Sequence, residues 1–169
     1  MPGPLDSAGF TQGFISALTD VDTFARDLLG SIRRQENGIY KYVQFGSSLI
    51  AGPTAQINPG SAVCYVLPAG NATLQRMFLC DSANSALGAG IAQGLVPTGQ
   101  GLQFGWIQLR GNATLGQALG SGAVGNTITS TGAAAGTLKV AAAVTDTPCG
   151  IVVDLTTAAA PVVMLSYPY

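Results

Sequence analysis

The alternation of apolar and polar positions is clearest in the stretch Ser31-Ile32-Arg33-Arg34-Gln35, Glu36-Asn37-Gly38, Ile39-Tyr40-Lys41-Tyr42-Val43-Gln44-Phe45. Two alternating arms flank an Asn-Gly pair, and Asn37-Gly38 supplies the two positive-φ positions of a type I′ turn. The segment therefore predicts a β-hairpin. Along its second arm Ile39, Lys41, Val43 and Phe45 share one face, and Tyr40, Tyr42 and Gln44 share the other. Beyond residue 50, short apolar runs separated by Gly-, Pro- and Asn-rich turns predict strands at Ala62–Leu67, Gln75–Leu79, Ala89–Leu95, Leu102–Leu109, Gly136–Val144, Cys149–Leu155 and Val162–Ser166. Gly116 to Gly136 offers few side chains to pack and reads as a loop, with one short strand near Asn126–Thr129.

Upstream of the hairpin the period changes. Phe10, Phe14, Ile15 and Leu18, then Val21, Phe24, Leu28 and Ile32, recur at helical spacing. Thr19 and Asp22 resemble a capping box and Gly30 a stop, so a helix over about 20–29 is one expectation. An arm that is extended until a partner orders it is the other. The expected organisation is an N-terminal arm, 1–30, and a β body, 31–169. The fold class is mainly β: a small barrel- or tulip-like domain, because regular short strands with turn signals close on themselves or stack.

An internal echo supports that architecture. Gly70-Asn71-Ala72-Thr73-Leu74 recurs as Gly111-Asn112-Ala113-Thr114-Leu115, 41 positions on, and at the same offset Gly60 meets Gly101 and Tyr65 meets Trp106. The pattern predicts two similarly built strand–turn–strand units. Tyr65, Trp106, Asn37 and Gly38 are accordingly read as structural residues of core and turn.

Composition adds a constraint on surroundings. Seven Lys/Arg and eight Asp/Glu make 9% of the chain, against about 25% in ordinary soluble domains. Apolar runs broken by Gly, Thr, Ser, Asn or Pro exclude a spanning helix, and the first ten residues lack the pattern of a secretory signal. The remaining explanation is a surface largely occupied by neighbours, since the buried part of an interface is depleted in Lys, Glu and Asp. A net charge of −1 gives no reason to expect nucleic acid as a partner.

Candidate chemistry is sparse. There is no histidine, which removes the serine and cysteine triads and most zinc sites. Asp20, Asp22 and Asp27 form the one acidic cluster, and neither Gly88-Ala89-Gly90 nor Gly120-Ser121-Gly122 opens a helix as a dinucleotide site would. No catalytic residue, cofactor or metal is expected. Cys64, Cys80 and Cys149 are odd in number and far apart. They are read as three reduced, buried thiols, with one disulfide plus a free thiol as the alternative. Arg33 and Arg34 point to opposite sides of a strand, either as a solvated edge or as polar contacts to a partner.

Leu29 to Val43, the strand Gly105-Trp106-Ile107-Gln108-Leu109-Arg110-Gly111, and the closing pair Pro148–Leu155 and Val162–Leu165 together resemble, in their order, the small head proteins of tailed bacteriophages. The likeness covers roughly residues 29–165, and its motifs are loose. The resemblance implies a non-enzymatic capsid decoration (cement) protein on the virion surface, assembled in the host cytoplasm. Its partners would be the major capsid protein and further copies of itself in a trimer, with neither nucleic acid nor membrane involved. On that reading Leu5, Phe10, Phe14, Ile15 and Leu18 dock on the capsid, and removal of residues 2–18 leaves the β body folded. A tail, fibre or head–neck component is the alternative. A carbohydrate-binding module is a further one, and a groove lined by Tyr40, Tyr42 and Trp106 would favour it.

Overall fold

The structure is a computed structural model that describes residues 14–46, 56–65, 76–79, 88–99, 101–119, 122–131 and 133–167. Among these residues eleven strands run in chain order: β1 Val21–Asp22, β2 Ile32–Gln35, β3 Gly38–Phe45, β4 Ala62–Tyr65, β5 Arg76–Leu79, β6 Gly88–Ala92, β7 Gln103–Thr114, β8 Thr127–Thr129, β9 Lys139–Val140, β10 Pro148–Asp154 and β11 Val162–Ser166. They form one sheet in the order β2-β3-β5-β4-β6-β7-β11-β10-β8-β9, with β1 beside β7 and a second pairing of β3 with β7. The protein is mainly β, and no helix occurs among the described residues.

β7 organises the sheet. One of its edges pairs with β3 from Gln103↔Phe45 to Arg110↔Ile39. Along its length it also meets β1 at 104–105, β6 at 107–108 and β11 at 110–114. The pairings therefore run β3–β5–β4–β6–β7 and return to β3, while β11, β10, β8 and β9 continue outward from β7 as an open wing. The eleven-stranded sheet as a whole is not closed into a barrel. Among the described residues β3 and β5 are the parallel pair, and every other strand pairing is antiparallel.

Alternation sorts the side chains into two cores. Val43 and Phe45 of β3 and Ile107 and Leu109 of β7 face the main core, with Ile57, Val63, Ile91, Val96 and Ile128. Tyr42, Phe104 and Trp106 point to the opposite face and form a second, smaller core with Phe14, Leu18, Leu29, Tyr40 and Leu102. Full burial of side chains of this size contributes about 1.5–3 kcal/mol each.

Three expectations are corrected here. Residues 20–29 are not helical; they form β1 and a run of bends and turns. Tertiary contacts override the helical period: Phe14 and Leu18 face Trp106, while Phe24 and Leu28 point to solvent. The hairpin is present, but its loop is Glu36-Asn37, because Gln35 pairs with Gly38. Glu36 takes the positive φ, 51°. Gly38 belongs to the strand through that pairing, and glycine is required there because the Tyr40 ring lies over it: a Cβ would sit 2.5 Å from the Tyr40 hydroxyl. The cysteines are not three thiols: Cys64 is disulfide-bonded and Cys149 is free and buried. Spacing along the chain holds no information on that pairing, and Cys80 lies outside the described residues.

The echo is half visible. Gly60 and Gly101 both take left-handed φ, 82° and 72°, two residues before β4 and β7 respectively. Gly111-Asn112-Ala113-Thr114 is not a turn; β7 runs through it, and Gly111 at φ 90° kinks the strand. Gly70 to Leu74 lies outside the described residues.

Candidate functional site

Residues 14–30 cover part of the outer face of β3 and β7, where Phe14, Leu18 and Leu29 pack against Tyr42, Phe104 and Trp106. Trp106 is fully buried there. Its indole N–H donates to Ser16 Oγ at 2.9 Å, and the Ser16 hydroxyl bonds in turn to Asp27. Asp27 also accepts the backbone N–H groups of Ile15 and Ser16. Phe14 meets the indole edge-on at 5.1 Å, and the Arg33 guanidinium lies 5.5 Å from Phe14 and 5.9 Å from Trp106 while donating to Ser16 O. Close approach of the segment depends on Gly94, where a Cβ would meet Val21 at 2.5 Å and Thr19 O at 2.6 Å.

The three aspartates of the acidic cluster have local work. Asp20 accepts Ala17 N–H at 2.8 Å, Asp22 pairs with Arg26 at 2.8 Å, and Asp27 closes the Ser16–Trp106 chain. Among the described residues no group of three His, Cys, Asp or Glu could hold a metal ion. Nor is there among them a helix long and apolar enough to cross a membrane.

The expected docking residues are distributed differently from one another. Phe14 and Leu18 pack into the second core, Ile15 is exposed, and Leu5 and Phe10 lie outside the described residues. Removal of residues 2–18 would therefore take away part of a core. Of the two arginines, Arg33 is turned inward onto Phe14 and Trp106, and Arg34 is exposed. Tyr65 borders the main core with Lys41 Nζ 5.4 Å from its ring; burial pushes the Lys41 pKa down and the Tyr65 pKa up. Tyr42 and Trp106 line no groove, because both are fully buried.

Past the covered zone the same sheet becomes open. A cavity of about 430 Å³ lies where β7 passes Gly111, bordered by Tyr40, the Pro59-Gly60 turn, Ala92-Gln93 and residues 112–116. On the wing, Asn112 pairs with Met164, and Met164 with Ile151. Met164, Ile151 and Val153 are exposed at 44%, 38% and 41%. Their strand neighbours Val152, Val163 and Leu165 face the core, so these three are an apolar row on the solvent side.

A buried polar knot lies under the wing. Cys149 Sγ bonds to Ile128 O at 3.5 Å, and burial pushes its thiol pKa up to about 11. The Tyr167 hydroxyl faces Cys149 and Ser130 without a well-formed hydrogen bond, and its burial raises its pKa well above the ordinary value. A thiol held protonated in this way is not a nucleophile.

Sequence reasoning missed Ser16, Gln93 and Gln108. Ser16 acts through Trp106, 90 positions away, and the Gln93 and Gln108 amides bond to nearby carbonyls of Ile91, Arg110 and Asn112, a pattern that no motif marks. Protein-family models and curated proteins, searched with this chain, give no match.

Proposed function

We propose that this chain is a non-enzymatic structural subunit of a virion, which binds the outside of a tailed-phage capsid and stabilises contacts between capsomers. The observation that carries the reading is the row Ile151, Met164 and Val153, a solvent-facing apolar strip on a chain with 9% charged residues. An uncharged strip on rigid paired strands suits a protein whose surface is filled by neighbours. Weak contacts repeated around a symmetric ring add through effective concentration. The capsid as the partner, and the trimer, rest on the sequence resemblance.

The test is co-sedimentation of the purified protein with expanded phage capsids, beside light scattering of the protein alone. Stoichiometric binding by a compact oligomer, lost on Ile151→Asp with Met164→Asp in a protein that still folds, supports the reading. A monomer that ignores capsids sinks it. Binding that survives the double substitution moves the contact away from the wing.

A further inference from the structure

We infer that the cavity beside Gly111 is a binding site for a neutral saccharide, a ligand class independent of the capsid reading above. Its lining carries no charged side chain: Tyr40, Gln93, Gln108, Asn112 and Thr114 supply the polar groups, and Pro59, Ala92, Ala113 and Leu115 the apolar ones. Its volume, about 430 Å³, lies within the roughly 300–1,000 Å³ typical of small-molecule sites.

The state of the two glutamines sets the chemistry. Gln108 is 3% exposed and spends its Nε2 on Arg110 O at 3.1 Å and Asn112 O at 2.9 Å. Gln93 spends its Nε2 on Ile91 O at 3.1 Å. Both amides are thus oriented by the protein's own carbonyls, and each Oε1 remains an acceptor with no donor among the described side-chain hydrogen bonds. A cavity lined by amides held in this way, and by no charged side chain, suits a ligand rich in hydrogen-bonding groups and without charge of its own. A sugar ring meets that description: its hydroxyls donate, and its C–H face packs on an aromatic ring such as Tyr40. Phosphates and carboxylates are disfavoured, because nothing in the lining neutralises them.

The rim is also fixed before any ligand arrives. Gly60 N–H donates to Ala92 O at 2.9 Å, Gly60 O accepts from Gly116 N–H at 3.1 Å, and Gln93 N–H donates to Trp106 O at 3.1 Å. Preorganisation of this kind reduces the ordering cost of binding.

The experiment is a titration of the ¹⁵N-labelled full chain with methyl glycosides of glucose, galactose, mannose and N-acetylglucosamine, with glycerol as the non-cyclic control. The expected result is selective shifts at the amides of Gln93, Asn112, Thr114 and Gly116 with at least one glycoside and none with glycerol, at a Kd on the order of 1 mM. Gln93→Ala with Asn112→Ala, at two positions outside the core, should weaken binding about tenfold or more, as loss of about 1.4 kcal/mol would. Absence of shifts with every glycoside overturns the inference. Equal binding by the double variant overturns it as well. So does a pocket whose amides shift on dilution alone, which would show that a second copy of the chain fills it.

Discussion

The indole N–H of Trp106 donates to the hydroxyl of Ser16 across 90 positions of sequence, and that bond fastens the N-terminal segment to the sheet. A buried donor left without its acceptor costs about 1–3 kcal/mol. Ser16→Ala should therefore lower unfolding stability by that amount, read by urea denaturation followed on the fluorescence of Trp106, the chain's one tryptophan. An unchanged midpoint would show that the bond adds nothing.

Truncation should separate the ends of the segment. Deletion of residues 2–12 leaves Phe14, Ser16 and Leu18 in place and serves as the reference. Deletion of residues 2–18 removes Phe14 and Leu18 from the second core. Since each apolar side chain contributes about 1.5–3 kcal/mol when buried, that variant should melt clearly lower. Equal melting of the two would mean the segment is an appendage.

Glycines divide by what surrounds them. Gly111 has φ 90°, and a Cβ would lie 1.9 Å from Asn37 O. Gly99 has φ 72° with open space around it. Gly99→Ala should cost about 1–2 kcal/mol from backbone strain alone. Gly111→Ala adds a collision between β7 and the hairpin loop and should cost more than twice as much, measured by thermal melting of both variants.

Alkaline pH should destabilise the wing. Cys149 titrates at about 11 in the fold against a reference of 9.0. Its raised pKa means that stability is full below pH 9 and is lost as pH rises towards 11, at about 1.4 kcal/mol per unit from this group. Tyr167, also raised, extends the loss above pH 10. Denaturation at pH 8, 9.5 and 10.5 should show the decline, and Cys149→Ala should flatten its first part.

Thiol alkylation in denaturant without reductant should label Cys149 and leave Cys64 unlabelled, because only Cys64 of these two is disulfide-bonded. Peptide mass mapping reads the result, and a labelled Cys64 would restore the reduced-thiol reading.

Most strands of the body were legible in the sequence because their signal is local, but of the expected strand Gly136–Val144 only Lys139–Val140 is one, and β1, Val21–Asp22, lies where helical spacing hid it. Alternation in residues 39–45 places Val43 and Phe45 inward and Tyr42 outward, and Ile128 marks the one short strand in a stretch otherwise poor in packing side chains. The hairpin loop was misplaced by one residue because Glu36, and not Gly38, takes the positive φ, while the glycine at 38 serves the close approach of the Tyr40 ring, a need that turn statistics do not contain. The segment 14–30 misled for a related reason. Phe14 and Leu18 lie at helical spacing, yet what orders them is Trp106, far along the chain. The cavity was invisible for the same cause: Tyr40, Gln93 and Gln108 come from three separate stretches, and only the register of β3, β6 and β7 brings them together.

β7 also dictates an order of events during synthesis. Its partners β1, β3 and β6 precede it, so a nascent chain can zip residues 103–110 as soon as they emerge. The 110–114 stretch pairs with β11, residues 162–166, and Leu115 N–H waits for Pro161 O. For the time taken to translate some fifty codons, the far end of β7 therefore presents an unpaired edge, the template on which two nascent chains would join. Polysomes crowded with copies of this message are where misassembly should begin, and slowing translation between codons 115 and 161 should increase it.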